Sequence, residues 1–257
     1  MVASMMQPRV WGSLLLLIIL LILWEWGVQA AGIPKFIIPT VSDIWKEGVR
    51  LWTSSKLPFH FGLTLWEVIL GFAGGALLGA SVGYLLGISR TAEALMSPYI
   101  LALQIAPKVA FAPLFVMWFG FTIYPKILVA ILITFFPVLV NVLAAVRAVE
   151  PATIDLARSF KATRAQIFWK IEFPASMPAL FSGLRVASTL AVIGVVVGEL
   201  IGGNQGLGFI LTLGDAQGNT AAVFVAIILL TLIGIVAYGA VVLAEGRVLH
   251  YQPVRKS

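Results

Sequence analysis

Six long apolar stretches dominate the sequence: about Val10–Val28, Thr64–Ile88, Ala94–Trp118, Tyr124–Val146, Pro178–Ile201 and Ala221–Ala244. Each comes close to the roughly 20 apolar residues a helix needs to cross the hydrocarbon core of a bilayer. The pattern predicts an all-α integral membrane protein with six transmembrane helices. Composition agrees, since only 11% of the 257 residues are charged, against about 25% in a soluble domain.

The formal charge of +6 would suggest nucleic acid as a partner of a soluble protein. In a membrane chain, basic residues set orientation instead. With the N-terminus inside, the inner segments hold Arg9, Arg90, Arg147, Arg158, Lys161, Arg164, Lys170, Arg247, Arg255 and Lys256, ten in all. The outer segments hold five: Lys35, Lys46, Arg50, Lys56 and Lys126. Both termini and the segment around 150–174 are therefore expected on the cytoplasmic side. Arg9, the apolar run and Val28-Gln29-Ala30 also fit a cleavable leader; Trp24 and Trp26 read rather as an interfacial belt of a retained span.

Cysteine is absent, which excludes disulfides, thiol catalysis and thiolate-held zinc. His60 and His250 are isolated, so no metal site is expected. Neither a nucleophile–base pair nor a phosphate-cradling loop with its lysine and hydroxyl is present; "GGNQGLG" lacks both. The chain is not expected to be an enzyme or to hold a cofactor.

Local signals refine the spans. Proline removes a backbone donor, so Pro98, Pro107 and Pro113 should interrupt the third span and Pro137 should kink the fourth. Gly71, Gly75, Gly79, Gly83 and Gly87 recur every four residues, a stripe that lets another helix approach closely. "PTVSDIWKEGVRLW" reads as a short outer helix capped by Thr40 or Ser42. Its Ile44, Trp45, Val49 and Trp52 share one face, and it braces the bundle or docks a receptor.

The densest charge lies in "DLARSFKATRAQIFWKIEFP", Asp155–Pro174. Ile154, Ala157 and Phe160 recur at helical spacing, and Thr163 followed by Gln166 is a capping box. Two short helices joined near Lys161–Thr163 are predicted, ended by Pro174 and Pro178, with Phe168 and Trp169 exposed. Such a surface suits insertion into a partner's groove.

At these residues the sequence resembles the membrane-spanning subunits of type I ATP-binding-cassette importers. Their cytoplasmic signature reads Glu-Ala-Ala, three residues, Gly, nine residues, Ile-x-Leu-Pro. Asp155, Leu156 and Ala157, then Lys161, then Ile171, Phe173 and Pro174 occupy those positions. Lys161 replaces the glycine, at a cost of roughly 1–2 kcal/mol if the backbone there is left-handed. "PTVSDIW", "IAPKVAFAPLFVMWFG", "FFPVLVN" and "GLRVASTLAVIGVVVGELIGGNQGLGFIL" are similar to the nitrate, sulfonate and taurine branch; vitamin and pyrimidine-precursor importers are similar in the same way.

The resemblance implies the type I importer fold and divides the chain at 1–62, 63–245 and 246–257. It implies coupling helices in which Asp155, Ala157, Arg158, Lys161, Thr163 and Arg164 dock two cytoplasmic ATPase subunits that bind the ATP. The further implied partners are a second permease copy, as a homodimer, and an extracytoplasmic solute-binding protein. The implied location is a bacterial inner membrane.

Ionisable residues within spans are functional candidates because charge is costly there. Lys108, among the prolines of the third span, would meet an anionic solute or satisfy freed carbonyls. Arg185 would snorkel to the cytoplasmic interface, roughly 21 Å along the fifth span from Glu199. Glu199 would face the translocation pathway or hydrogen-bond the "GGNQGLG" loop. Glu67 and Lys126 read as interfacial. The rival to an ATP-driven importer is a gradient-driven secondary transporter, which predicts inverted repeats and midplane carboxylates; no repeat is evident.

Overall fold

A computed structural model describes residues 8–54 and 57–249. The notional tail beyond residue 249, with His250, Arg255 and Lys256, lies outside the described residues, as does Lys56. The described chain is helical without strands. Among the described residues, five helices are long and apolar enough to span a bilayer, and a bent pair makes a sixth candidate.

Helix α1, Pro8–Ala30, stands largely apart, its leucines from Leu14 to Leu23 exposed. It is tied down at its C-terminal end. There Trp24 donates to the Pro39 carbonyl at 3.2 Å and its ring lies 5.3 Å from that of Phe224. Helix α2, Val41–Ser54, is the amphipathic segment, and its N-cap is Thr40, whose hydroxyl accepts the Asp43 amide at 3.2 Å. Ser42 instead binds Glu25 of α1 through both its amide and its hydroxyl. Ile44 and Leu51 are buried, whereas Trp45, Val49 and Trp52 stay exposed.

Helix α3, Leu57–Gly87, buries all five glycines of the stripe. Along it runs α6, Ile123–Arg147, with Ala130, Thr134, Val138, Val142 and Val146 where glycine β-carbons would otherwise be. On the other side α6 meets α9, Phe173–Gly202, whose Gly183, Gly194 and Gly198 lie against Val138, Ala130 and Lys126. Ala130 is thus wedged between glycines of two helices, Gly71 and Gly194. The stripe serves packing within the chain. A short α10, Leu207–Ala216, and a final span α11, Thr220–Val248, complete the main apolar core.

Prolines act unequally. Helix α4, Arg90–Ile105, carries Pro98 without interruption and buries none of its residues. The chain breaks at Pro107, turns through a 3-10 segment Lys108–Phe111, and resumes as α5, Ala112–Phe119, bent by 83°. Pro113 sits in the first turn of α5, where a missing donor costs nothing. Pro137 lies inside an unbroken α6.

The segment after α6 forms α7, Pro151–Ser159, and α8, Arg164–Ile167. The expected stop at Pro174 and Pro178 is not what the chain does. A π turn, Phe168–Glu172, carries α8 straight into α9. There the Phe173 amide reaches back to the Phe168 carbonyl. Pro174 then falls in the first turn of the resumed α-helix, where its missing N–H is tolerated. Helical backbone is continuous over 39 residues, Arg164–Gly202.

Candidate functional site

The hairpin of α7 and α8 is built by three local devices. First, α7 ends in a Schellman motif: the Lys161 amide binds the Arg158 carbonyl at 2.8 Å and the Ala162 amide binds the Ala157 carbonyl at 3.0 Å. This closure needs a left-handed residue, and Lys161 supplies it with φ 57°, the one non-glycine at positive φ among the described residues. Second, Thr163 caps α8. Its hydroxyl accepts the Gln166 amide at 3.3 Å while the Gln166 side chain accepts the Thr163 amide at 2.8 Å. Third, buried Glu172 accepts Arg164 at 3.1 Å and the Tyr84 hydroxyl at 2.7 Å. That fastens the hairpin to the end of α3.

The six hairpin residues singled out in the sequence therefore divide. Asp155 and Arg158 form an exposed pair at 3.3 Å. Ala157 is half-buried. Lys161 and Thr163 set the turn, and Arg164 anchors it. The apolar surface left open is Leu156, Phe160 and Trp169, of which Phe160 is 80% exposed. Phe168, expected outside, turns inward onto Tyr84 with ring centres 4.7 Å apart.

At the opposite ends of the spans lies a second polar cluster. Glu199 is fully buried, and the loop after α9 wraps around it. Its Oε1 accepts the Thr64 hydroxyl and its Oε2 the Gly208 amide, both at 2.6 Å. The same Thr64 oxygen accepts the Leu207 amide at 2.9 Å, and His60 Nδ1 accepts the Gly206 amide at 3.0 Å. Gly206 has φ 109°, and a β-carbon there would collide with the Glu199 carboxylate, so only glycine suits the position. Of its two expected roles, Glu199 takes the loop-binding one in this conformation.

Glu67 and Lys126, read from sequence as interfacial, instead form a buried ion pair at 2.9 Å, and Lys126 also donates to the Gln205 carbonyl at 3.2 Å. In the sequence each is a charge flanked by apolar residues, but their pairing comes only from the α3–α6 crossing. Arg185 does not merely reach for an interface but pairs with Glu245 of α11.

Lys108 sits at the break before α5. Its ammonium donates to the Gln104 carbonyl at 2.6 Å and lies 4.9 Å from the Phe136 ring centre.

On the Glu199 side, α2 and the α10–α11 turn frame a cleft of about 520 Å³ that includes Lys35, Asp43, Lys46, Glu47, Arg50 and Asn219. Lys35 pairs with Asp43 at 2.9 Å and holds its carboxyl below the ordinary aspartate range. Arg50 does the same for Glu47, helped by Asn219, which donates to it at 2.7 Å.

Residues 75–250 match the family model described as "Binding-protein-dependent transport system inner membrane component". The chain is similar to the formylaminopyrimidine transport permease protein ThiX of Halalkalibacterium halodurans, 33% identical over 88% of this chain and 90% of that one. It is also similar to the taurine transport system permease protein TauC of Escherichia coli, 31% identical over 86% of this chain and 82% of that one. Among solved structures, one titled "Inward facing conformations of the MetNI methionine ABC transporter" matches with a TM-score of 0.62 and 21% identity. It covers 75% of this chain and 95% of that one, and this likeness speaks to the fold.

Proposed function

The chain belongs to the family of binding-protein-dependent transport system inner membrane components, and on that footing we propose how its parts divide the work of an ATP-driven importer. It is the permease subunit. Residues 63–245 are assigned as the transport domain, 1–62 as an added span with its outer brace, and 246–257 as a tail. The hairpin side faces the cytoplasm and both termini lie there, as the ten-to-five excess of Lys and Arg suggests. The inner membrane is the location proposed.

The observation that carries this reading is the hairpin itself. Its turn accepts the cost of a left-handed lysine, its base is fastened by Glu172, and yet Leu156, Phe160 and Trp169 remain uncovered. A rigid, capped element with exposed large apolar side chains suits a groove on another protein. We assign that groove to a cytoplasmic ATPase subunit, one on each of two permease copies. ATP is bound and hydrolysed there and not in this chain.

Asp155, Arg158 and Phe160 form the docking surface. Ala157, Lys161, Thr163 and Arg164 hold its shape. The Lys108 face is assigned to the translocation path, and Glu199 to holding the loop that closes the outer end. A solute-binding protein delivers the solute there.

Co-purification tests the assignment. Phe160→Asp and Arg158→Glu alter docking residues without touching the Arg164–Glu172 anchor. Both should leave membrane insertion intact and release the ATPase. Retention of the ATPase by both variants, or uptake by the lone chain driven by an ion gradient, would overturn the proposal.

A further inference from the structure

Charges in these spans are matched almost everywhere. Lys126 pairs with Glu67, Arg185 with Glu245, and Glu199 is held by Thr64 and Gly208. Lys108 is not. None of the described carboxylates lies within ion-pairing distance of it. Its ammonium carries three donors, and one carbonyl, that of Gln104, accepts from it.

Its depth follows from its neighbour. Phe136, the ring beneath the ammonium, is the fourteenth of the 25 residues of α6. That places Nζ about 20 Å from one end of the helix and about 16 Å from the other. A cation at mid-bilayer does not face lipid unaided. Nor is this face closed by the chain's own packing: beside Lys108, Ile105 is 74% exposed and Val109 44%. The break at Pro107 points the same way, because irregular backbone at membrane depth survives only against protein or water.

We propose that the solute carries an anionic group, such as a carboxylate, sulfonate or phosphate, and that Lys108 receives it at the midplane. The exposed apolar side chains beside it, Ile105 and Val109, give a path in which one positive charge is felt strongly. This inference names the substrate class for the importer reading and rests on that reading.

The cysteine-free sequence makes the test direct. Val109→Cys and, separately, Ile105→Cys are introduced into the permease, isolated with its ATPase and placed in lipid nanodiscs. Each thiol is treated with a 2-sulfonatoethyl or a 2-trimethylammonioethyl methanethiosulfonate, with rates scaled to those of a free thiol. The anionic reagent should react faster by about tenfold, the low end of charge focusing in a narrow cleft. Lys108→Gln should erase that preference and Lys108→Arg should keep it. Reaction without charge preference, or a preference indifferent to Lys108→Gln, overturns the anion inference and leaves the path standing. That is also the outcome if a carboxylate of the second copy neutralises Lys108. Failure of both thiols to react with either reagent overturns the path itself.

Discussion

Thr64 gives its hydroxyl hydrogen to Glu199 at 2.6 Å and takes the Leu207 amide at 2.9 Å. One side chain of α3 thus joins α9 to the start of α10. Thr64→Val removes both bonds and leaves a buried carboxylate oxygen and a buried amide unpaired. At about 1–3 kcal/mol for each unsatisfied group, melting of the detergent-solubilised protein should fall clearly, and Thr64→Ser should largely restore it. An unchanged melting temperature in Thr64→Val would contradict this account.

The Glu67–Lys126 pair supports a sharper comparison. Lys126→Met leaves Glu67 as an uncompensated buried charge, a loss of roughly 3–5 kcal/mol. Adding Glu67→Leu removes the orphan, so the double variant should be more stable than Lys126→Met alone. Strict additivity of the two changes in denaturant or thermal unfolding would show that the residues do not interact.

At Ala130 the constraint is steric. A β-carbon at Gly71 would overlap the Ala130 methyl. Gly71→Ala should therefore cost about 1–3 kcal/mol through forced helix separation, and Ala130→Gly in the same chain should recover most of it. The readout is again thermal unfolding.

Lys161 is strained in the opposite sense, as a position open to improvement. Relief of its left-handed backbone is worth roughly 1–2 kcal/mol, offset by about 0.5–1 kcal/mol for the freedom glycine gains in the unfolded chain. Lys161→Gly should protect the amides of residues 151–163 against hydrogen exchange, and Lys161→Val should expose them.

The outer brace should respond to acid. Asp43 and Glu47 have carboxyls lowered by Lys35 and Arg50, respectively. Groups with depressed folded-state pKa values contribute stability that is complete above their ordinary range and is lost as pH falls through the lowered value. Proteolysis of α2 should therefore accelerate only below the usual carboxylate range. Glu47→Gln should flatten that dependence.

Sequence legibility followed the length scale of each signal. The spans, the glycine stripe, the Thr163 cap and the break at Pro107 are local patterns whose physics acts within a few residues. Sequence also placed the turn between α7 and α8 near Lys161–Thr163, from the helical spacing that runs out at Phe160 and the capping box that begins at Thr163. The Glu67–Lys126 pair escaped because its partners are 59 residues apart and meet only through the α3–α6 crossing. Pro174 misled for a different reason: a π turn just ahead of it shifts the hydrogen-bond ladder, so the missing donor falls in the first turn of a resumed helix.

From Arg164 to Gly202 the backbone stays helical for 39 residues, a rod about 58 Å long at 1.5 Å per residue. A tilt of roughly 5° about its lower end would carry Gly202 sideways by about 5 Å over that length. In the importer proposed above, such a lever would carry the Glu199 loop whenever a partner pushed the hairpin, gearing the two ends of the bundle through a single secondary-structure element.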